Sequence, residues 1–389
     1  MSRAKQPGVR VANLARLLRL VHLEGPLSRA VLTARTGLNR STIGDLVAEL
    51  AGAGLVLEQD PDPSGSVGRP SPLVAADPAV AVVAANPEVD ALTVAAVGFD
   101  RRIRARVRID RDELLSPDET ADLVAAQVAQ WREGELTGIR IIAAGLAVPG
   151  TVRAADGLVR IAPHLQWKDA AVGRLVEQAT GLPTIVGNDA NMGAVAEHLF
   201  GAARGADDVI YLNGGASGIG GGIIIDGMLV SGAGGYAGEF GQSRPAVSDP
   251  ADRLSTGATL EDEVSRRRLL AAVGLHSGDE AGLASAMAAS DAPALAEEIA
   301  RQRRILATAL ANVVNALNPT VVVLGGFLAT LAAQNLPELV ADVRAQSVPS
   351  AWEGLEIRPA TLADDRLLIG AAEAAFGALL RDPLAVIPR

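Results

Sequence analysis

The chain has 389 residues, enough for two or three domains, and 49% of them are hydrophobic; with aromatics at 3%, the core must be built from aliphatic side chains. There is no cysteine, which excludes disulfides, thiolate metal sites and a cysteine nucleophile, and the four histidines (22, 164, 198, 276) offer no i, i+4 pair for a dedicated zinc site. The net charge of −10 is unevenly spread: eight basic and three acidic side chains give residues 1–57 a charge of +5 and leave −15 on the remainder, so nucleic-acid contact, if any, belongs to the head.

Leu14, Leu17, Leu18 and Val21 follow the i, i+3, i+4, i+7 spacing of an amphipathic helix, which Gly25-Pro26 stops. Ser28 caps a second short helix that ends at Gly37, and Asn39 caps a third whose apolar face is Ile43, Leu46, Val47 and Leu50. The short Gly37–Asn39 connection is that of a helix-turn-helix. Two short strands, at Leu55–Leu57 and Leu73-Val74, flank the loop DPDPSGSVGRPS, which reads as a wing. The third helix would enter the major groove by its N-terminal end and present Asn39, Arg40, Ser41 and Thr42, with Arg69 at the wing tip reaching phosphate or minor groove. For each residue taken singly, the alternative is an exposed position without a partner. The order LSRAVLTARTGLNRSTIGDLVAELAGAGLV resembles the winged helix-turn-helix of bacterial transcription regulators.

After Asp77-Pro78 the texture changes, and the boundary is set between residues 78 and 79. Strand-like runs at VAVVAA, ALTVAAVGF, RIIAAGLAV, VIYLN, GIIID and TVVVLGG alternate with helical stretches, including Glu297–Leu317, so the body is an α/β layered domain. AAGLAVPG and VVLGG are buried-strand patterns ending in glycine turns, where ligands of α/β sheets bind. No apolar run is long enough to span a bilayer, and MSRAKQPGVR lacks a signal-peptide core; a cytoplasmic protein without membrane contact is expected.

PGTV, APHLQW, GNDANMGAVAEHLFGAARG, GASGIGGG, GGYAGEFGQ, TLEDEVS and VVLGG occur in an order that resembles the ROK family of repressors and sugar kinases. The resemblance covers residues 79–389 and implies a two-lobed actin-like ATPase fold, with lobes at roughly 79–187 plus the C-terminal helix and 188–368. It assigns sugar contacts to Asn188, Asp189, Glu239 and Glu261, and Gln242, a neutral donor and acceptor, is expected to hydrogen-bond the sugar beside them. Carboxylates suit vicinal hydroxyls because each oxygen accepts one proton with charge assistance. Asp189 has three readings: sugar ligand, helix cap, or the base that deprotonates the attacking hydroxyl in family kinases. Glu239 is otherwise a solvated turn residue. His164 is a ligand or packed, and packing is favoured.

The chain departs from the family's kinases at the first phosphate loop: VVAANPEVDALTVAAVGFD has no glycine before Gly98, and the only lysines are Lys5 and Lys168. Gln242 stands in place of a family histidine, and RPAVSDPADRLSTGATLED lacks the family's zinc cysteines. No structural zinc and no cofactor are expected. The turn Gly218–Gly222 either approaches a phosphate or serves a tight hairpin, and the hairpin is favoured. The expected function is a sugar-responsive DNA-binding regulator that has lost phosphoryl transfer, acting as a homodimer or homotetramer on operator DNA with a small sugar as effector. The alternative is an ATP-dependent sugar kinase with an accessory head.

Overall fold

The structure, a computed structural model, describes residues 8–59, 72–215, 218–247, 249–278 and 280–386. The head begins with helix α1 (Val9–Glu24), strand β1 (Leu27–Ser28), α2 (Arg29–Thr36) and α3 (Arg40–Gly52), followed by β2 (Val56–Gln59) and β3 (Leu73–Ala76). Ser28 Oγ accepts from the Val31 amide at 3.2 Å and Asn39 Oδ1 from the Thr42 amide at 2.8 Å, so both helices start at capping side chains. Gly37 ends α2 at φ 72, a left-handed conformation that costs a glycine little. Leu14, Leu17, Leu18, Val21, Ile43 and Leu46 are buried together as the head's core. The strands form an antiparallel sheet in the order β1-β3-β2; β1, which the sequence reading lacked, is too short to carry a period. The wing loop and Arg69 lie outside the described residues.

The body opens with β4 (Val80–Pro87), β5 (Ala91–Gly98), β6 (Ile103–Asp110), α4 (Pro117–Glu133), β7 (Arg140–Val148), a small sheet of β8 (Thr151–Val152), β9 (Val159–Ala162) and β10 (Trp167–Ala170), then α5 (Val172–Thr180), β11 (Thr184–Asn188) and α6 (Asp189–Phe200). Next come β12 (Val209–Gly215), β13 (Gly218–Ile225), β14 (Met228–Leu229), the short α7 (Leu260–Glu263), α8 (Arg266–Ala272), α9 (Glu280–Ala288) and α10 (Pro293–Leu317). The chain closes with β15 (Val321–Gly326), α11 (Phe327–Gln334), α12 (Leu336–Gln346), β16 (Glu356–Pro359) and α13 (Arg366–Arg381).

Two mixed five-stranded sheets result, ordered β11-β7-β4-β5-β6 and β14-β13-β12-β15-β16. Strand β4 is buried on both faces: Val82 and Ala84 pack with α13, while Val83 and Ala85 pack with α4 and α5. Helix α10 covers the second sheet through Leu306, Leu310 and Val314. Between the sheets α6 lies against β13 and α13 against β7 and β4, and the two helices cross where Gly370 meets the Met192 carbonyl. A Cβ at residue 370 would stand 2.1 Å from that oxygen, so only glycine permits the crossing.

The head is docked on the body by long-range contacts through His22, Arg101 and Arg140. Buried His22 of α1 bonds the Phe99 carbonyl at 2.7 Å and Glu373 of α13 at 2.8 Å, and its ring stacks on Phe99 at 4.4 Å. Arg101 donates to the Leu23 carbonyl at 3.0 Å, and Arg140 to the Gly54 carbonyl at 2.6 Å. Among the described residues no helix is long and apolar enough to cross a membrane.

Candidate functional site

The ends of β7, β11, β12 and β13 open onto a cleft with two halves. The first is a cavity of about 380 Å³ whose polar wall includes Asn188, Asp189, Glu239, Gln242 and Glu261. Asn188 and Asp189 reach it because β11 runs directly into α6. The cap of α6 is Asn188, not Asp189: Asn188 Oδ1 accepts from the Asn191 amide at 2.9 Å, and its Nδ2 donates to the Gly150 carbonyl at 3.0 Å. Asp189 begins the helix, and its Oδ1 accepts from its neighbour's amide, Ala190 N, at 2.8 Å. The backbone turn therefore aims the Asp189 carboxylate into the cleft and leaves it acceptor capacity.

Burial pushes the Asp189 carboxyl up to about 6, opposed by the Ala190 amide and the Arg366 guanidinium and reinforced by Glu239. Glu239, on the loop before a short 3-10 turn, is raised by burial and by the Glu261 carboxylate. Glu261 accepts from the Ile219 amide at 3.2 Å and from Gln242 Nε2 at 2.5 Å. Gln242 thus orients a carboxylate. The pocket is rich in acceptors and suits a ligand whose surface is mainly hydroxyl donors.

One sequence expectation changes here and one is refined. His164 is exposed at the pocket rim instead of packed, because the 3-10 turn Pro163–Leu165 buries Leu165 and turns the imidazole outward. The tight hairpin between VIYLN and GIIID is present, with β12 antiparallel to β13 and Gly215 opposite Gly218, and Gly218–Gly222 lie along its second arm. Their role is close packing: a Cβ at residue 220 would stand 2.7 Å from the Ala190 Cβ, and one at 222 would stand 2.4 Å from the Ala194 Cβ. Asn213 and Thr151 also line the pocket without having been singled out; isolated polar residues in apolar strands carry no local signal.

The second half is a cavity of about 490 Å³ that shares Asp189, Asn213 and Pro149 with the first. It is crossed by ion pairs. Arg366 donates to Asn213 Oδ1 at 3.2 Å and to Glu280 at 2.8 Å, and Arg108 pairs with Glu88 at 2.6 Å and Asp90 at 3.1 Å. Arg106 is held by Asp365 at 2.6 Å. These pairs join segments far apart in the chain and were invisible in the sequence.

Residues 244–258 offer neither thiol nor imidazole to a zinc ion, and among the described residues no three acidic or histidine side chains are grouped to hold a metal. The loop is tied by protein groups. Buried Glu263 accepts from the Leu254 and Ser255 amides at 3.1 and 2.9 Å and from Arg301 at 3.0 Å, while Arg304 clasps Asp252 through two bonds.

On the head, Asn39, Arg40 and Ser41 are exposed and Thr42 is half-buried at the start of α3. Asn39 Oδ1 is committed to the Thr42 amide and the Ser41 hydroxyl, which leaves its amide nitrogen free to point outward. Arg40 has no partner among the described residues.

Comparison with known proteins gives a consistent set. The ROK family model matches residues 89–377. The xylose repressor of Caldicellulosiruptor bescii is 27% identical over 378 residues, covering 92% of this chain and 93% of that protein. The glucokinase of Halalkalibacterium halodurans is 32% identical over 274 residues, 64% of this chain and 82% of the kinase. In structure, a ROK family transcriptional regulator, homolog of the E. coli MLC protein, superimposes with a TM-score of 0.78 at 24% identity, over 97% of this chain and 99% of the other. The body therefore has the two-lobed actin-like sugar-kinase fold.

Proposed function

The chain belongs to the ROK family, and we propose that it is a sugar-responsive DNA-binding repressor in which residues 1–78 read DNA and residues 79–389 sense the sugar. The observation that carries this reading is one molecule holding both a capped helix-turn-helix, with Arg40 exposed and unpartnered, and an acceptor-lined pocket around Asp189, Glu239 and Glu261. Asn39, Arg40, Ser41 and Thr42 contact the operator, with Arg69 as a further contact from the wing. Asp189, Glu239, Glu261 and Gln242 bind sugar hydroxyls, and Asn188 holds Asp189 in place. Two copies reading two half-sites of a symmetric operator fit the helix-turn-helix geometry.

Phosphoryl transfer is lost in this reading. A nucleotide polyphosphate in the second half of the cleft would face Glu88, Asp90, Glu280 and Asp364, and two of the four arginines there are already paired with these acids. Moving a paired arginine onto a phosphate leaves its acid exposed to the same anion, so repulsion offsets the gain. The Glu88 amide, on the turn where a phosphate loop would present free N–H groups, donates to the Ala91 carbonyl at 2.7 Å.

The test is operator binding by fluorescence anisotropy across a sugar panel, with D-xylose first because a full-length relative is a xylose repressor. One sugar should change operator affinity by about 5- to 150-fold, the usual span of allosteric coupling. If no sugar alters it, the sensing role fails. ADP release in a coupled assay that Asp189→Ala abolishes would instead favour the sugar kinase.

A further inference from the structure

A third cavity, of about 340 Å³, lies where the head meets the body, and the sugar reading does not use it. Its walls come from one face of α6 (Met192, Val195, Leu199) and one face of α13, where Gly370, Ala374 and Gly377 leave room above Leu380. Few polar groups reach this apolar space. Asn191 is 9% exposed and lines the cavity, and its side-chain Oδ1 is fully buried beside Gly222 with no hydrogen-bond partner among the described residues. Arg19 of α1 stands at the wall with no ion-pair or hydrogen-bond partner among the described residues. Glu373, also in the wall, is already bonded to His22. An apolar chamber of this size with a few convergent polar groups has the form of a small-ligand site.

We propose that this cavity binds a small apolar monocarboxylate, its hydrocarbon part between α6 and α13 and its carboxylate on Arg19. The polar wall is too sparse for a sugar, and the unpaired guanidinium selects an anion. Such a ligand touches the head through Arg19 and the body through α6 and α13, so it fastens one to the other. The cavity also shares Asn188, the cap of α6, with the sugar pocket, so occupancy at the joint bears on the geometry of Asp189.

The experiment titrates the full chain with benzoate, trans-cinnamate and hexanoate, each beside its neutral amide, and follows melting temperature and calorimetric heat. At least one carboxylate should raise the melting temperature, and its amide should bind about tenfold more weakly or worse, because the charge-assisted contact is gone. Arg19→Gln, at an exposed position, should remove that preference, and Leu199→Trp should block binding by filling the chamber. Asp189→Asn should leave carboxylate binding in place, which separates this site from the sugar pocket. The proposal is overturned if no carboxylate shifts the melting temperature, if acid and amide bind alike, or if binding survives both Arg19→Gln and Leu199→Trp.

Discussion

Asp189→Asn should stabilise the unliganded protein at neutral pH while weakening the sugar site. Burial lifts the Asp189 carboxyl from its ordinary 3.8 to about 6, so the folded chain takes up this proton before the unfolded chain does as pH falls. Above pH 6 the folded state therefore holds a charge that the unfolded state carries more easily. At 1.36 kcal/mol per pKa unit the difference is at most roughly 3 kcal/mol, and water entering from the cleft reduces it to about 1–3 kcal/mol. This penalty is full above pH 6, shrinks between 6 and 3.8, and vanishes below 3.8. Asparagine keeps an oxygen for the Ala190 amide and carries no charge, so it escapes the penalty at every pH. Urea unfolding followed by tryptophan fluorescence, at pH about 7.5 and about 4.5, should show the variant ahead at the higher pH and its lead cut to about a third at the lower. The same substitution removes a charged acceptor from the sugar and should weaken binding by about 1.5–3 kcal/mol, about ten- to a hundredfold. A stability difference equal at both pH values, or a variant less stable at pH 7.5, refutes the assignment of a strained buried carboxylate.

Further outcomes concern the head and the joints. Arg40→Ala should weaken operator binding by about 1–3 kcal/mol with the melting temperature unchanged, since its side chain has no hydrogen-bond or ion-pair partner among the described residues; unaltered operator affinity would remove it from the interface. His22→Ala deletes a ring stacked on Phe99 and strands Glu373 and the Phe99 carbonyl, at a cost of about 3–5 kcal/mol, and should expose the head to limited proteolysis. An unchanged melting temperature would show that this contact does not hold the head. Arg301→Met leaves the buried Glu263 charge without its guanidinium and should cost about 3–5 kcal/mol, whereas EDTA should not move the melting temperature; a drop with EDTA would mean that a metal, not this ion pair, ties the loop.

The features legible in the sequence are those whose cause is local. Helix α3 was readable because Asn39 caps it four residues before its first buried side chain, and α2 because Ser28 opens it and Gly37 closes it. Strand β4 was readable because burial on both faces demands an unbroken apolar run. The carboxylate pocket was readable through motif order, since Asp189 and Glu239 each sit at a turn that backbone chemistry marks. Tertiary structure decided the rest. Nothing local tells that Asn188 rather than Asp189 caps α6, because both side chains can do so and only the Gly150 carbonyl, 38 residues away, claims Asn188. The glycines at 220 and 222 look like a turn until α6 is laid against β13. The pairs Arg366–Glu280 and Arg106–Asp365 across the cleft, and His22–Glu373 at the joint, link positions 86, 259 and 351 residues apart. Such contacts exist only once the sheets and α13 have packed, because a side chain's spacing along the chain records its own helix or strand and not what that element is folded against.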